Sequence, residues 1–169
     1  MTKYSNFFHD YNLRNLYISL EIKHNLMEKI FQISYLIIAI TLIILGLRWM
    51  IADEPWLLDK VANEERLGIT FTELFNNNVN KSLPDYLKQI YRFFGLWIII
   101  IGFFILGLSS SSMVENSKIR VVLLACVGVM CYSGLLLALI WIPKSPFVYL
   151  GSSMVVIHVV TFYSHIKIA

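Results

Sequence analysis

Charged residues are scarce in this sequence. Only 15% of the 169 residues are Asp, Glu, Lys or Arg, whereas 57% are hydrophobic and the mean hydropathy is +0.67. A soluble domain carries about 25% charged residues and about 45–50% apolar ones. A chain of this size would therefore have more apolar surface than a soluble core can bury. The same composition excludes a disordered chain, and the class that remains is a small polytopic membrane protein.

Cysteine and catalytic motifs are also scarce. The two cysteines, Cys126 and Cys131, exclude a disulfide-dense secreted scaffold. They lie in one apolar stretch and would point about 140° apart around a helix, so they cannot pair with each other. The sequence has no Walker loop, G-x-S-x-G, H-E-x-x-H or dinucleotide glycine pattern. These absences favour a protein that is not an enzyme, and we expect no cofactor, no metal and no nucleic-acid partner.

Four long stretches contain no Asp, Glu, Lys or Arg, and each has 18 to 23 residues. A helix that crosses the hydrocarbon core needs about 20 mainly apolar residues. The stretches are apolar on all sides instead of alternating, which favours helices over barrel strands. We therefore predict an all-α membrane protein, a single domain of four transmembrane helices at residues 30–50, 90–113, 120–142 and 146–166. The short links predict that spans two, three and four are neighbours in an up-down bundle.

Two segments are predicted to lie outside the bilayer. Residues 1–29 place apolar side chains at helical spacing, which predicts an interfacial amphipathic helix on the membrane surface; they are Tyr4, Phe7, Phe8, Tyr11, Leu13, Leu16, Tyr17 and Leu20. Residues 52–89 form the one sizeable loop. Within it, Thr70 and Glu73 have capping-box spacing, and Ser82 followed by Pro84 predicts the start of a helix.

The orientation is not decided by charge, because the 14 Lys and Arg residues divide equally between the two sides. The absence of a signal sequence and the acidic loop favour cytoplasmic termini. We expect an integral protein of the bacterial inner membrane.

His158 is the most informative polar residue, because it lies near the middle of the fourth span. An ionisable side chain at this depth usually faces the bundle interior or a wet cavity. Thr161 and His165 follow on nearly the same helical face. Two interpretations stay open. His158 and Thr161 either belong to a ligand-binding surface, or His158 is a neutral imidazole that joins helices by hydrogen bonds.

Ser34, Thr41 and Arg48 recur every seven residues in the first span. We expect them to mark the face that is turned toward the other helices, with Arg48 reaching the headgroups. They are candidate ligand-binding residues together with His158 and Thr161, although helix packing is the alternative explanation.

The four-span plan resembles the small DoxX-like four-helix membrane proteins of bacteria. The resemblance includes Tyr91 and Arg92 followed by Gly95 at the start of span two, the later glycines Gly102 and Gly107, the short final hairpin and the single loop after span one. It implies a shared architecture. Members of that group are mostly of unknown role, and some are associated with quinone-linked respiratory complexes. The resemblance implies no functional residue.

Three functions are compatible with these features. The first is an accessory or scaffolding subunit that packs against other membrane proteins or against copies of itself. The second is a binding module for a lipid, a quinone or another apolar molecule within the helices. The third is a small oligomeric channel or transporter, which is disfavoured because the spans contain no acidic residues.

Overall fold

The computed structural model describes the backbone of residues 2–168 and the side chains of residues 14–168. All its regular elements are helices, in the order α1 (Thr2–Ile51), α2 (Lys60–Leu67), α3 (Phe71–Asn76), α4 (Leu83–Leu108), α5 (Ser111–Val114), α6 (Ser117–Trp141) and α7 (Pro146–Ile168). Two short 3-10 turns lie between them at Pro55–Asp59 and Asn78–Asn80.

Within the described residues, four segments are long and apolar enough to cross a membrane, which confirms the predicted number of long apolar helices. They are Arg14–Ile51, Asn78–Leu108, Ser117–Trp141 and Pro146–Ile168. Each is longer than the about 20 mainly apolar residues that a crossing requires. Helices α1, α4, α6 and α7 are therefore the candidate membrane spans.

Helix α1 differs from the prediction, because no break separates an interfacial helix at residues 1–29 from the first span. The helix is continuous over its 50 residues, which corresponds to about 75 Å. Neither glycine nor proline occurs between Thr2 and Leu45, so the common causes of a kink are absent from this part of the sequence. Part of the predicted amphipathic surface lies outside the residues whose side chains the structure describes: Tyr4, Phe7, Phe8, Tyr11 and Leu13.

Helices α1 and α4 pack at very short range through glycines. A methyl group added at Gly46 would lie 2.5 Å from the carbonyl oxygen of Gly95, and one at Gly95 would lie 2.7 Å from the carbonyl oxygen of Gly46. Two helical turns further along α4, a methyl group added at Gly102 would lie 3.0 Å from the carbonyl oxygen of Ala39. The missing side chains let the two backbones meet, as small residues do at other membrane helix interfaces.

The remaining helices leave one side of the bundle open. Helix α7 packs against both α1 and α6, whereas α4 and α6 make few contacts with each other. Spans two and three are therefore not the close neighbours that the short link between them predicted. An apolar cleft of about 350 Å³ separates them, lined by Ile101, Phe104, Ile105, Leu108, Val122, Leu123, Cys126, Val127 and Met130. Helix α4 packs mainly against α1, and α6 packs mainly against α7.

The segment between α1 and α4 is tied down by polar contacts. Thr70 and Glu73 form the predicted capping box at the start of α3, and the hydrogen bonds that Glu73 accepts from Thr70 lower the pKa of its carboxyl group. Pro84 lies in the first turn of α4 as predicted, but the Ser82 hydroxyl makes no capping hydrogen bond with the described residues. At the turn before α7, the buried Ser145 hydroxyl donates to Asp59 Oδ2 at 2.8 Å.

The glycine contact makes a testable prediction about stability. Gly46→Ala must push α1 and α4 apart, and we expect it to lower the free energy of unfolding by about 1–3 kcal/mol, as overpacking does. Gly134→Ala is the matched control, because no described atom lies within 4 Å of a methyl group there; the better helix propensity of alanine should leave stability unchanged or raise it by up to about 1 kcal/mol. Unfolding in detergent micelles measures both. Equal effects of the two substitutions would contradict the close packing.

Candidate functional site

The site is built where α7 meets α6, at Gly128. His158 is buried, and a methyl group added at Gly128 would lie 3.1 Å from both Nε2 and Cε1 of its ring. Even an alanine at this position would force the imidazole to shift by a few tenths of an ångström. The glycine therefore lets a large polar ring lie directly on the backbone of the neighbouring helix.

Both ring nitrogens of His158 are hydrogen-bonded within the chain. Nε2 lies 3.0 Å from the carbonyl oxygen of Leu124, and Nδ1 lies 3.2 Å from the hydroxyl oxygen of Tyr132. A carbonyl can only accept, so Nε2 carries the proton and donates it. In the neutral ring Nδ1 then accepts from the Tyr132 hydroxyl. This arrangement satisfies both nitrogens without contact to lipid, which the interior of a bilayer requires.

A groove runs along the outside of this contact. Its volume is about 520 Å³, and it is lined by Val121, Leu124, Ala125, Gly128, Val129, Tyr132, His158, Phe162 and His165. Ligand pockets typically have about 300–1,000 Å³. From Val121 to Tyr132 the groove follows α6 for about 16 Å, which is about half of a hydrocarbon core of about 30 Å.

Arg120 and His165 lie at one end of the groove, where α6 begins and α7 ends. Arg120 is only 4% exposed, and its Nη1 donates to the carbonyl oxygens of Val114 at 2.6 Å and Glu115 at 3.1 Å. Its Nε donates to His165 Nδ1 at 3.4 Å. The α5 turn is thereby fastened to α6. Sequence reasoning did not select Arg120; its place in the first turn of an apolar span was the available signal.

The other predicted site residues do not line this groove. Thr161 is fully buried and its hydroxyl donates to the carbonyl oxygen of Ile157, while Thr41 donates to that of Ile37, each at 2.8 Å. Ser34 is buried on α1, and Arg48 is exposed. A row of residues seven apart rotates by about 20° per heptad around a straight helix, so it leaves the buried face before it reaches Arg48. Their role as ligand-binding residues stays a prediction.

Comparison of the chain with protein-family models, with curated proteins and with solved structures finds no match. The resemblance to DoxX-like proteins therefore stays a prediction.

The contact between His158 and Tyr132 is testable by a double-mutant cycle. We expect His158→Leu and Tyr132→Phe each to lower the free energy of unfolding in detergent. The coupling between them should be about 0.6 kcal/mol and at most about 1.7 kcal/mol, the range measured for hydrogen bonds between membrane helices. Tyr149→Phe is the control, because Tyr149 is 79% exposed on α7. Strictly additive effects would show that the two side chains do not interact.

Proposed function

We propose that this chain is an accessory subunit of a membrane protein complex, with both termini on the cytoplasmic side of a bacterial inner membrane. The membrane class follows from the four apolar spans. The orientation is supported by residues 52–89, which contain seven acidic and four basic residues and would face away from the cytoplasm. The proposed contact with the partner is made by residues 14–26 of α1, here called the stalk.

The observation that carries this proposal is an apolar stripe that is covered in the bundle and uncovered on the stalk. The other side of the stalk also exposes Ile18, Ile22 and Leu26, but that side is not the continuation of a covered face. Phe31 and Tyr35 lie on it within the bundle and are fully buried. On the same helical face of the stalk, Leu16 is 56%, Tyr17 is 72% and Leu20 is 55% exposed. At helical spacing the stripe runs from Leu16, Tyr17 and Leu20 past His24 to Met27, Phe31 and Tyr35.

Helix α7 covers this stripe only as far as Met27, where the Ser164 hydroxyl donates to the carbonyl oxygen of Met27. Because α1 is continuous, the stalk extends its axis by about 20 Å beyond that point. Exposed apolar surface in such a position is typical of a binding surface. A helix that lies in line with α7 would continue the existing packing.

A partner of different sequence fits this position better than a second copy of the chain. Helix α7 already occupies the same face of α1 within the bundle, from Met27 onward. Two parallel copies that met through their stalks would bring both α7 helices between the two α1 helices. The proposed occupant is therefore a helix of another subunit.

The stalk proposal is tested with a pair of substitutions on opposite helical faces. Leu20→Glu places a carboxylate on the stripe, and Ile22→Glu places one on the other side of the same helix. We expect Leu20→Glu to reduce the amount of larger assembly at least about tenfold, since an unpaired buried charge costs several kcal/mol, and Ile22→Glu to leave it unchanged. Native mass spectrometry of the protein extracted from its own membrane in mild detergent measures the assembly.

Both residues are exposed, so the unfolding temperature of the isolated chain should stay the same in both variants. Equal assembly of wild type and Leu20→Glu, or equal loss in both variants, would contradict a partner on the stripe.

A second candidate function is the binding of an apolar or amphiphilic molecule, and the groove between α6 and α7 favours it. The lining of the groove is mainly apolar. The small residues Ala125 and Gly128 leave room for an acyl chain to lie between the two helices. Its polar floor, His158, is satisfied by Leu124 and Tyr132. The groove therefore offers apolar contact along its length instead of a free polar group at its centre.

Filling the groove tests this second function. Ala125→Leu adds bulk to an exposed groove position, and we expect it to remove lipid-sized adducts that remain on the wild-type protein in native mass spectra. Ser133→Leu is the control, because Ser133 is an exposed residue of α6 outside the groove. Unchanged adducts in Ala125→Leu would show that bound molecules lie elsewhere.

A further inference from the structure

We infer that the groove between α6 and α7 holds one acyl chain of an anionic glycerophospholipid, and that Lys118 and His165 contact its phosphate. This inference rests on the second proposed function and names its ligand. It does not involve the stalk.

The dimensions of the groove match half of a bilayer. The groove begins near His165, close to the end of α7, and reaches Tyr132. Its length of about 16 Å along α6 corresponds to one leaflet of a hydrocarbon core of about 30 Å. A chain that enters at the His165 end would therefore reach the middle of the membrane beside His158, with its headgroup at the interface.

Arg120 determines which nitrogen of His165 carries a proton. A guanidinium group in a protein is always protonated and can only donate. Because Arg120 Nε donates to Nδ1 of His165, that nitrogen accepts and the ring proton is on Nε2. His165 lines the groove, so the ring supplies a hydrogen-bond donor at the end where a headgroup would lie.

Lys118 continues the groove wall of α6 toward the same end. It precedes Val121, Ala125, Gly128 and Tyr132 at spacings of three and four residues, which places all five on one face of the helix. Lys118 is exposed, so its flexible ammonium group is free to reach a phosphate at the interface.

The charges around this end are mainly positive. Lys118 and Arg120 lie in the first turn of α6. The nearby acids are Glu115, an exposed residue before α6, and Glu28 of α1, which lies beside Glu115 together with Lys29. Each Lys or Arg near a membrane surface contributes about 1 kcal/mol to the attraction of anionic lipid. The charge balance therefore favours an anionic headgroup over a zwitterionic one.

The test compares two lipids that share their acyl chains. The delipidated protein in mild detergent is titrated with palmitoyl-oleoyl phosphatidylglycerol or with the corresponding phosphatidylcholine, and native mass spectrometry measures the bound fraction. We expect tighter binding of phosphatidylglycerol, and Lys118→Gln should weaken it about fivefold, the effect of one lysine. Lys167→Gln is the matched control, because Lys167 lies over the ring of Tyr163, 5.5 Å from its centroid, and neither residue lines the groove.

Each other outcome has a defined meaning. Equal binding of the two lipids, or equal losses in Lys118→Gln and Lys167→Gln, would overturn the assignment of the headgroup. Displacement of the lipid by inorganic phosphate alone would identify an ion site and overturn the role of the acyl chain. Loss of binding in Ala125→Leu without any effect of Lys118→Gln would leave the second proposed function intact and refute only this inference.

Discussion

The contact between the backbones of α1 and α4 at Gly46 and Gly95 is the constraint on which the rest of the structure depends. It holds α4 on one side of α1, with the second glycine contact at Gly102. Helix α7 packs on another side of α1 and carries α6 with it. Helix α4 contacts α1 along its length and makes few contacts with α6, so the bundle is open between α4 and α6. The structure is two helix pairs joined through α1 and α7, instead of a closed ring of four.

A glycine also permits close packing between α6 and α7, where a side chain lies against the backbone instead of a second backbone. The absence of a side chain at Gly128 leaves room for the His158 ring. The two ring nitrogens are hydrogen-bonded to the carbonyl oxygen of Leu124 and the hydroxyl group of Tyr132. The small residues Ala125 and Gly128 line the outside of this contact, and their lack of bulk leaves the groove between α6 and α7. A residue that joins two helices and a surface that receives a lipid chain are thus compatible. The two interpretations of His158 in the sequence do not exclude each other.

Much of the fold was predictable from local chemistry. Charge-free stretches of the length of a bilayer predicted four membrane spans, and the spacing of Thr70 and Glu73 predicted a capping box that the structure contains. At two places the structure differs from what the sequence led us to expect, for physical reasons. Helix α1 continues through residues 29 and 30, where a boundary between an interfacial helix and the first span was expected, because no residue there forms a kink. The short link after α4 constrains only the ends of the two helices it joins, so it does not determine how their lengths pack.

The site was less predictable, because its parts come from different helices. His158 was identifiable from its depth alone, whereas Tyr132 is identified by its contact with α7 and Arg120 by its contacts with α7 and α5. By itself the sequence determined the membrane class, the helical secondary structure and the number of spans, since each depends on local apolarity and length. The tertiary structure alone decided which faces meet, where the open cleft lies and which polar groups find partners. These depend on side-chain shape at positions far apart in the chain, which hydropathy does not report.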